Sequence, residues 1–222
     1  MSQPEDTVSA HALHEESIGL KYFMPYTFPE VPTLLNFMGD HLRQFSQRSL
    51  NTIHQDILLE LQENIDSVFG VDGSVWKEVR LLESMEEIGS KPLIRITYGK
   101  EMVENPDFTK NYAKLIFRYN IGLLLVGEYS PSFLKPFFGF LIGIPVARSF
   151  KNCLKIVRPI LHRVVHQAEA THQRGDVANA DLIPRTFLEH IASALVKDKR
   201  RSMFDTNDVA SVILAKVGFY HP

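Results

Sequence analysis

Tyr129-Ser-Pro-Ser-Phe-Leu-Lys-Pro-Phe-Phe-Gly-Phe-Leu-Ile-Gly-Ile-Pro-Val-Ala147 stands between two helical patterns in the middle of the chain. Phe133, Leu134, Phe137, Phe138, Phe140, Leu141, Ile142 and Ile144 make it strongly apolar, while three prolines and two glycines interrupt it. A membrane-spanning helix needs an uninterrupted apolar run of about 20 residues, so this stretch does not read as a span. It reads as a broken connection between two helices. Its aromatic residues then either make a shallow contact with a membrane surface or another chain, or join a buried core.

Outward from it, the pattern is helical on both sides. Towards the carboxyl terminus, Leu154, Val157, Leu161 and Val164/Val165 form an apolar stripe that predicts a long helix over about 146–173. Pro159 is expected to bend it, and Gly175-Asp176 to close it. Two further amphipathic segments follow, at about 180–196 and 206–219. Towards the amino terminus, Asn105-Pro106-Asp107 opens a helix running on to Leu125, since proline suits a first turn and aspartate the positive helix end. A helix is expected over 76–98, weakened by Gly89 and Pro92; Leu93–Tyr98 is the best strand candidate. Ile53, Ile57, Leu58, Leu61, Ile65 and Val68 predict a helix from Leu50 to Phe69, stopped by Gly70 and Gly73. A separate helix is expected over about 34–47, and a short one over 8–18. Between them Pro25, Pro29 and Pro32 punctuate a loop whose aromatics, Tyr22, Phe23, Tyr26 and Phe28, need a partner surface. The chain is therefore expected to be mainly α with little or no β-sheet. Residues 1–33 form an extension and 34–222 one helical domain.

Composition agrees with a globular chain. It is 45% hydrophobic, with 24 basic and 26 acidic side chains over 222 residues, and its formal charge of -2 gives no reason to expect nucleic acid as a partner. Charge is distributed unevenly. Residues 59–87 are acidic, and residues 148–174 carry Arg148, Lys151, Lys155, Arg158, Arg163 and Arg174 against Glu169. Each reads as a solvated helix face or as a docking surface for the other, for a partner or for anionic lipid. Met1–Glu16 has no basic run followed by an apolar stretch, so neither a signal peptide nor a membrane anchor is expected, and a cytoplasmic location is the corresponding expectation.

No catalytic, cofactor-binding or metal-binding residue emerges from the pattern. Cys153 is the single cysteine, which excludes an intrachain disulfide, and its place in the apolar stripe reads as core packing. His162 and His166 share a helix face without an HExxH motif, His11 and His14 are spaced three apart, and His172, His190 and His221 are isolated. Asp181, Glu189, Asp205 and Asp208 have no pairing that spacing establishes. There is no GxSxG, Walker or dinucleotide motif.

Four pieces in order resemble the middle of a fungal cytochrome P450 of the secondary-metabolism monooxygenase type. They are Ile88-Gly-Ser-Lys-Pro-Leu-Ile-Arg-Ile-Thr-Tyr-Gly99, Asn105-Pro-Asp-Phe108, Pro131-Ser-Phe-Leu-Lys-Pro-Phe-Phe-Gly139 and Val157-Arg-Pro-Ile160. The resemblance implies a partial P450-like helical domain covering roughly the C to I helices. Residues around 108–147 then correspond to the F helix and F–G connection, with 129–147 the F–G-loop-like segment, and a G helix holds the Arg-Pro pair. Leu50–Phe69 and Asp205–His221 resemble the flanks more weakly.

The family's haem is held by a cysteine thiolate near the carboxyl terminus. Here the Phe-x-x-Gly-x-x-x-Cys-x-Gly loop and the Glu-x-x-Arg pair are absent, and Cys153 falls in the G-helix region. The resemblance therefore implies a truncated P450-like protein of a fungal biosynthetic pathway, without autonomous haem-dependent monooxygenase activity and without a cofactor of its own, haem belonging to the full-length family. It also implies a small apolar metabolite as ligand. A peripheral contact with the endoplasmic reticulum membrane or with protein is implied through Phe133, Phe137, Phe138 and Phe140. The alternatives are an accessory substrate-binding protein, one part of a haem-thiolate monooxygenase whose remainder lies outside this chain, or a non-oxidative cyclase or isomerase, for which no converging acid/base set can be named.

Overall fold

A computed structural model describes residues 20–23, 32–71, 76–173, 185–197 and 204–219, and these are predominantly helical with no strand among them. In chain order they form α1 (Leu20–Phe23), α2 (Pro32–Phe69), α3 (Leu81–Tyr98), α4 (Lys100–Val103), α5 (Pro106–Gly122), a π-helix (Leu123–Tyr129), α6 (Lys135–Gln173), α7 (Phe187–Lys197) and α8 (Thr206–Phe219). The expected helix over 8–18, the residues Tyr26 and Phe28, Gly73 and the closing pair Gly175-Asp176 lie outside the described residues.

Three local expectations are corrected. The two helices expected at 34–47 and 50–69 are one helix, α2, because no proline or further glycine follows Gly39 before Gly70. Gly70 ends it with φ 83°, the left-handed conformation that glycine adopts without a Cβ penalty, and its N–H reaches Asp66 O at 2.8 Å. The strand candidate Leu93–Tyr98 is the last part of α3. Helical spacing sets Ile94, Thr97 and Tyr98 on one buried face, and that packing overrides the β-propensity of Ile94, Ile96 and Thr97. Residues 135–147 are helical rather than broken. Pro136 falls in the first turn of α6, where a missing N–H costs nothing, and the helix runs on through Pro145 and Pro159.

The Asn105 signal is borne out. Its side-chain oxygen accepts from the N–H groups of Asp107 and Phe108, both at 3.1 Å, just ahead of Pro106. α5 then packs along α6, and Arg118 binds the two together. Its guanidinium donates to Pro145 O at 3.0 Å and to Ser149 Oγ at 2.6 Å. The apolar stripe of α6 is buried as expected at Leu154, Val157, Leu161 and Val165, with Cys153 among them. One core runs from Phe23 through Leu34, Ile94, Phe108 and Val157 to Ile191 and Ile213, so the helices share a single interior.

Candidate functional site

The aromatic end of α6 is built by the π-helix that precedes it. A π-turn is wider than an α-turn and misaligns the usual backbone ladder, so side chains take some of its carbonyls. Ser130 Oγ donates to Leu125 O, and Lys135 Nζ donates to Gly127 O at 3.1 Å. The N–H groups of Leu134 and Lys135 both reach Pro131 O, which turns the chain into α6. Phe133 is 79% exposed, Phe137 59% and Phe140 65%, with Tyr129, Leu141 and Ile144 also exposed. Phe137 and Phe138 meet edge to face at 5.6 Å between centroids. Both readings of this stretch are realised in part: Phe133, Phe137, Phe138, Phe140, Leu141 and Ile144 are exposed, whereas Ile142 packs against the core and Val146 is buried.

The opposite side of the same turns is occupied from within the chain. Tyr22 and Phe23 of α1 lie across Gly139 and Gly143, and a Cβ built at Gly139 would collide with Tyr22. Phe23 is buried against Tyr119 at 5.8 Å between centroids and covers Gly122 closely. This supplies the partner surface that two of the amino-terminal aromatics needed. The glycines that read as helix breaks are sites of close approach.

Beyond the aromatic end, the exposed side of α6 carries Arg148, Lys151, Lys155 and Arg158 at helical spacing. Arg163 pairs with Glu101 at 2.9 Å, and His166 Nδ1 lies 3.2 Å from Glu169. His162 and His166 therefore stand on a solvated face.

The histidines that the fold brings together are different ones. His41 Nδ1 of α2 lies 3.2 Å from His190 Nε2 of α7, inside a ring of Phe37, Phe45 and Phe187. Along the sequence His190 stands isolated, since its partner lies in a different helix far away in the chain. Burial, then the neighbouring His41, Arg48 and Lys197, pushes the His190 pKa down to about 4. No group of three potential metal ligands occurs among the described residues. Of the candidate carboxylates, Asp205 and Glu189 act as helix caps. Asp205 accepts from the Asn207 N–H and side-chain amide, and these bonds hold its carboxyl below its usual range. Glu189 accepts from the Arg185 N–H at 3.0 Å while Thr186 Oγ1 accepts from the Glu189 N–H. Asp181, His11, His14 and His221 lie outside the described residues.

Cys153 sits fully buried on α6, close to Tyr98 and Tyr112, whose hydroxyls have no hydrogen-bond partner among the described residues. Burial pushes its thiol up to about 12.

No protein-family model and no solved structure matches the chain. Curated proteins do. The chain is similar to cytochrome P450 monooxygenase nodZ of Hypoxylon pulicicidum, 24% identical over 180 residues, covering 81% of this chain and 35% of that protein. Cytochrome P450 monooxygenase polB of Polytolypa hystricis is 28% identical over 160 residues, or 72% of this chain and 30% of its own length. Cytochrome P450 monooxygenase astC of Aspergillus terreus is 25% identical over 171 residues, with 74% and 30% covered. All three of these relatives are fungal cytochrome P450 monooxygenases, and the chain resembles them over most of its own length. It spans about a third of the length of the curated P450 relatives it matches.

P450 haem requires an axial thiolate open to the iron. The described residues do not fit that group. The one cysteine is closed in by packed helices, and its environment favours the protonated thiol, so no step through haem follows for these residues.

Proposed function

We propose that this chain supplies the helical roof and flank of a fungal secondary-metabolism P450, and that these residues by themselves do not carry out haem-dependent monooxygenation. The observation that supports this most directly is the place of Cys153, buried in the α6 stripe with a protonated thiol. A thiolate ligand needs the opposite setting, electropositive and open on one side. In a complete P450 that ligand would come from sequence beyond the matched third. The small-molecule partner is then an apolar pathway metabolite, and the aromatic end of α6 lies against a membrane surface, peripherally at the endoplasmic reticulum. No helix among the described residues is long and apolar enough to cross a membrane, which agrees with a contact made from one side.

The test is a carbon monoxide difference spectrum of the purified 222-residue chain after incubation with haemin and reduction. The expected result is no Soret band of the thiolate-ligated type; such a band would overturn the reading. A second reading, an accessory protein that binds the metabolite, is favoured by the continuous core, which lets the chain fold as one unit. It predicts a melting transition that an apolar pathway metabolite raises by mass action.

A further inference from the structure

The fold leaves two charge surpluses of opposite sign unneutralised. Arg148, Lys151, Lys155 and Arg158 stand exposed on one side of α6, and residues 129–168 contain no Asp or Glu. Among the described residues Arg148, Lys151 and Lys155 form no ion pair, whereas Arg163 further along is held by Glu101. The acidic surplus lies on α2 and around the start of α3. Glu60 pairs with Arg95 at 3.1 Å and Lys77 Nζ donates to Ser67 O at 3.0 Å, so α2 runs beside α3 with Glu63 between these two ties. Glu63 and Glu78 are exposed and, like Glu86, have no ion pair among the described residues. Burial, then the neighbouring Glu83, pushes the Glu86 carboxyl above its ordinary range, as expected where like charges crowd without a cation.

Within one chain the two surpluses do not meet. α6 packs chiefly on α1, α5, α7 and α8, and α3 chiefly on α2, α4 and α5. The acidic surface is also apolar. Leu82, Met85 and Glu86 follow at steps of three and four, so they share one side of α3. Leu82 and Met85 are exposed, and Trp76 beside Glu78 is fully so. Such a surface calls for a cover that brings both positive charge and hydrocarbon. A row of lysines and arginines brings both, because their aliphatic stems lie on apolar surface while the charged ends reach carboxylates.

We infer that the chain self-associates, the basic side of α6 in one copy docking on the acidic, apolar start of α3 and the adjoining part of α2 in a second copy. Arg148, Lys151 and Lys155 then face Glu63, Glu78 and Glu86 of the second copy. Charge complementarity selects this occupant, since every copy carries both surfaces and each surface neutralises the other. The aromatic end of α6 takes no part in the contact.

The experiment is sedimentation velocity of the full chain over a range of concentration and salt. The average mass should rise with concentration at low salt. It should fall back to the monomer as the Debye length shortens from about 10 Å at 0.1 M to about 3 Å at 1 M. Acrylamide quenching of Trp76 should fall as the chain associates. Combined Arg148→Glu, Lys151→Glu and Lys155→Glu should weaken self-association roughly tenfold or more, and so should combined Glu63→Lys, Glu78→Lys and Glu86→Lys. An equimolar mixture of the two variants should associate again, because each then offers the sign that the other lacks. A chain that stays monomeric at low salt would overturn the inference. So would association that salt does not weaken, or that leaves Trp76 quenching unchanged, or that Phe137→Ser with Phe140→Ser abolishes. Should circular dichroism show that a triple variant loses its helices, the salt and quenching results on the unaltered chain decide.

Discussion

At the residue scale, the feature with the clearest consequence is the His41–His190 contact. A neutral imidazole pair at 3.2 Å shares one N–H, and a second proton there meets Arg48 and Lys197 as well. His190 titrates at about 4 when folded, against an ordinary 6.5. Between those values the unfolded chain binds the proton and the folded chain does not. Acidification therefore favours unfolding: the contribution is complete above pH 6.5 and is lost as pH falls towards 4. Every pH step of one across that window is worth about 1.4 kcal/mol at most, and the partial exposure of His190 lowers that figure. Urea midpoints measured across this window should fall with acidity more steeply for the natural chain than for His190→Gln. Parallel slopes would show that the pair is not the source. Cys153 belongs to the same scale. Its place in an apolar stripe identified it as packing from sequence, because a small apolar side chain needs no partner to be buried.

At the element scale, α6 is where local sequence rules and structure part company. Pro136, Gly139, Gly143 and Pro145 each lower helix propensity, and together they predicted a break. In the helical form, two neighbours that are distant in sequence pack against it. α1 fits against the glycines, and Arg118 takes the Pro145 carbonyl. The glycines thus serve contact more than flexibility, which leads to a sharp expectation. Gly139→Ala places a methyl group where Tyr22 already lies, and overpacking of this kind costs about 1–3 kcal/mol. Hydrogen exchange should become faster at Tyr22 and Phe23 while the core of α5 keeps its protection. Unchanged exchange would mean that α1 does not depend on that approach. Other elements were legible because their signals are local. The Asn105-Pro106 start and the Gly70 stop act within a few residues of themselves, and both stand where expected.

At the scale of the whole molecule, one core connects α1 to α8, with Phe108, Tyr112, Val157, Ile191 and Ile213 in contact through shared neighbours. A shared interior predicts a single unfolding transition. Circular dichroism at a helical wavelength should show one sigmoidal step in urea. Two resolved steps would mean that α7 and α8 fold apart from the rest. Trp76, the one tryptophan, is fully exposed, so its fluorescence should report little of that transition. The helical class, the carboxyl-terminal ends of α2, α3 and α6, the span of α8, the core stripe of α6 and the P450 resemblance were legible in the sequence, because periodicity, caps and ordered motifs are properties of neighbouring residues. The packed molecule was needed to see that residues 135–147 stay helical, that His41 meets His190, and that Phe137 and Phe140 face outward in line with Arg148 and Lys151. Each of those depends on which distant helix covers which face, and that choice follows from packing the whole chain around one interior.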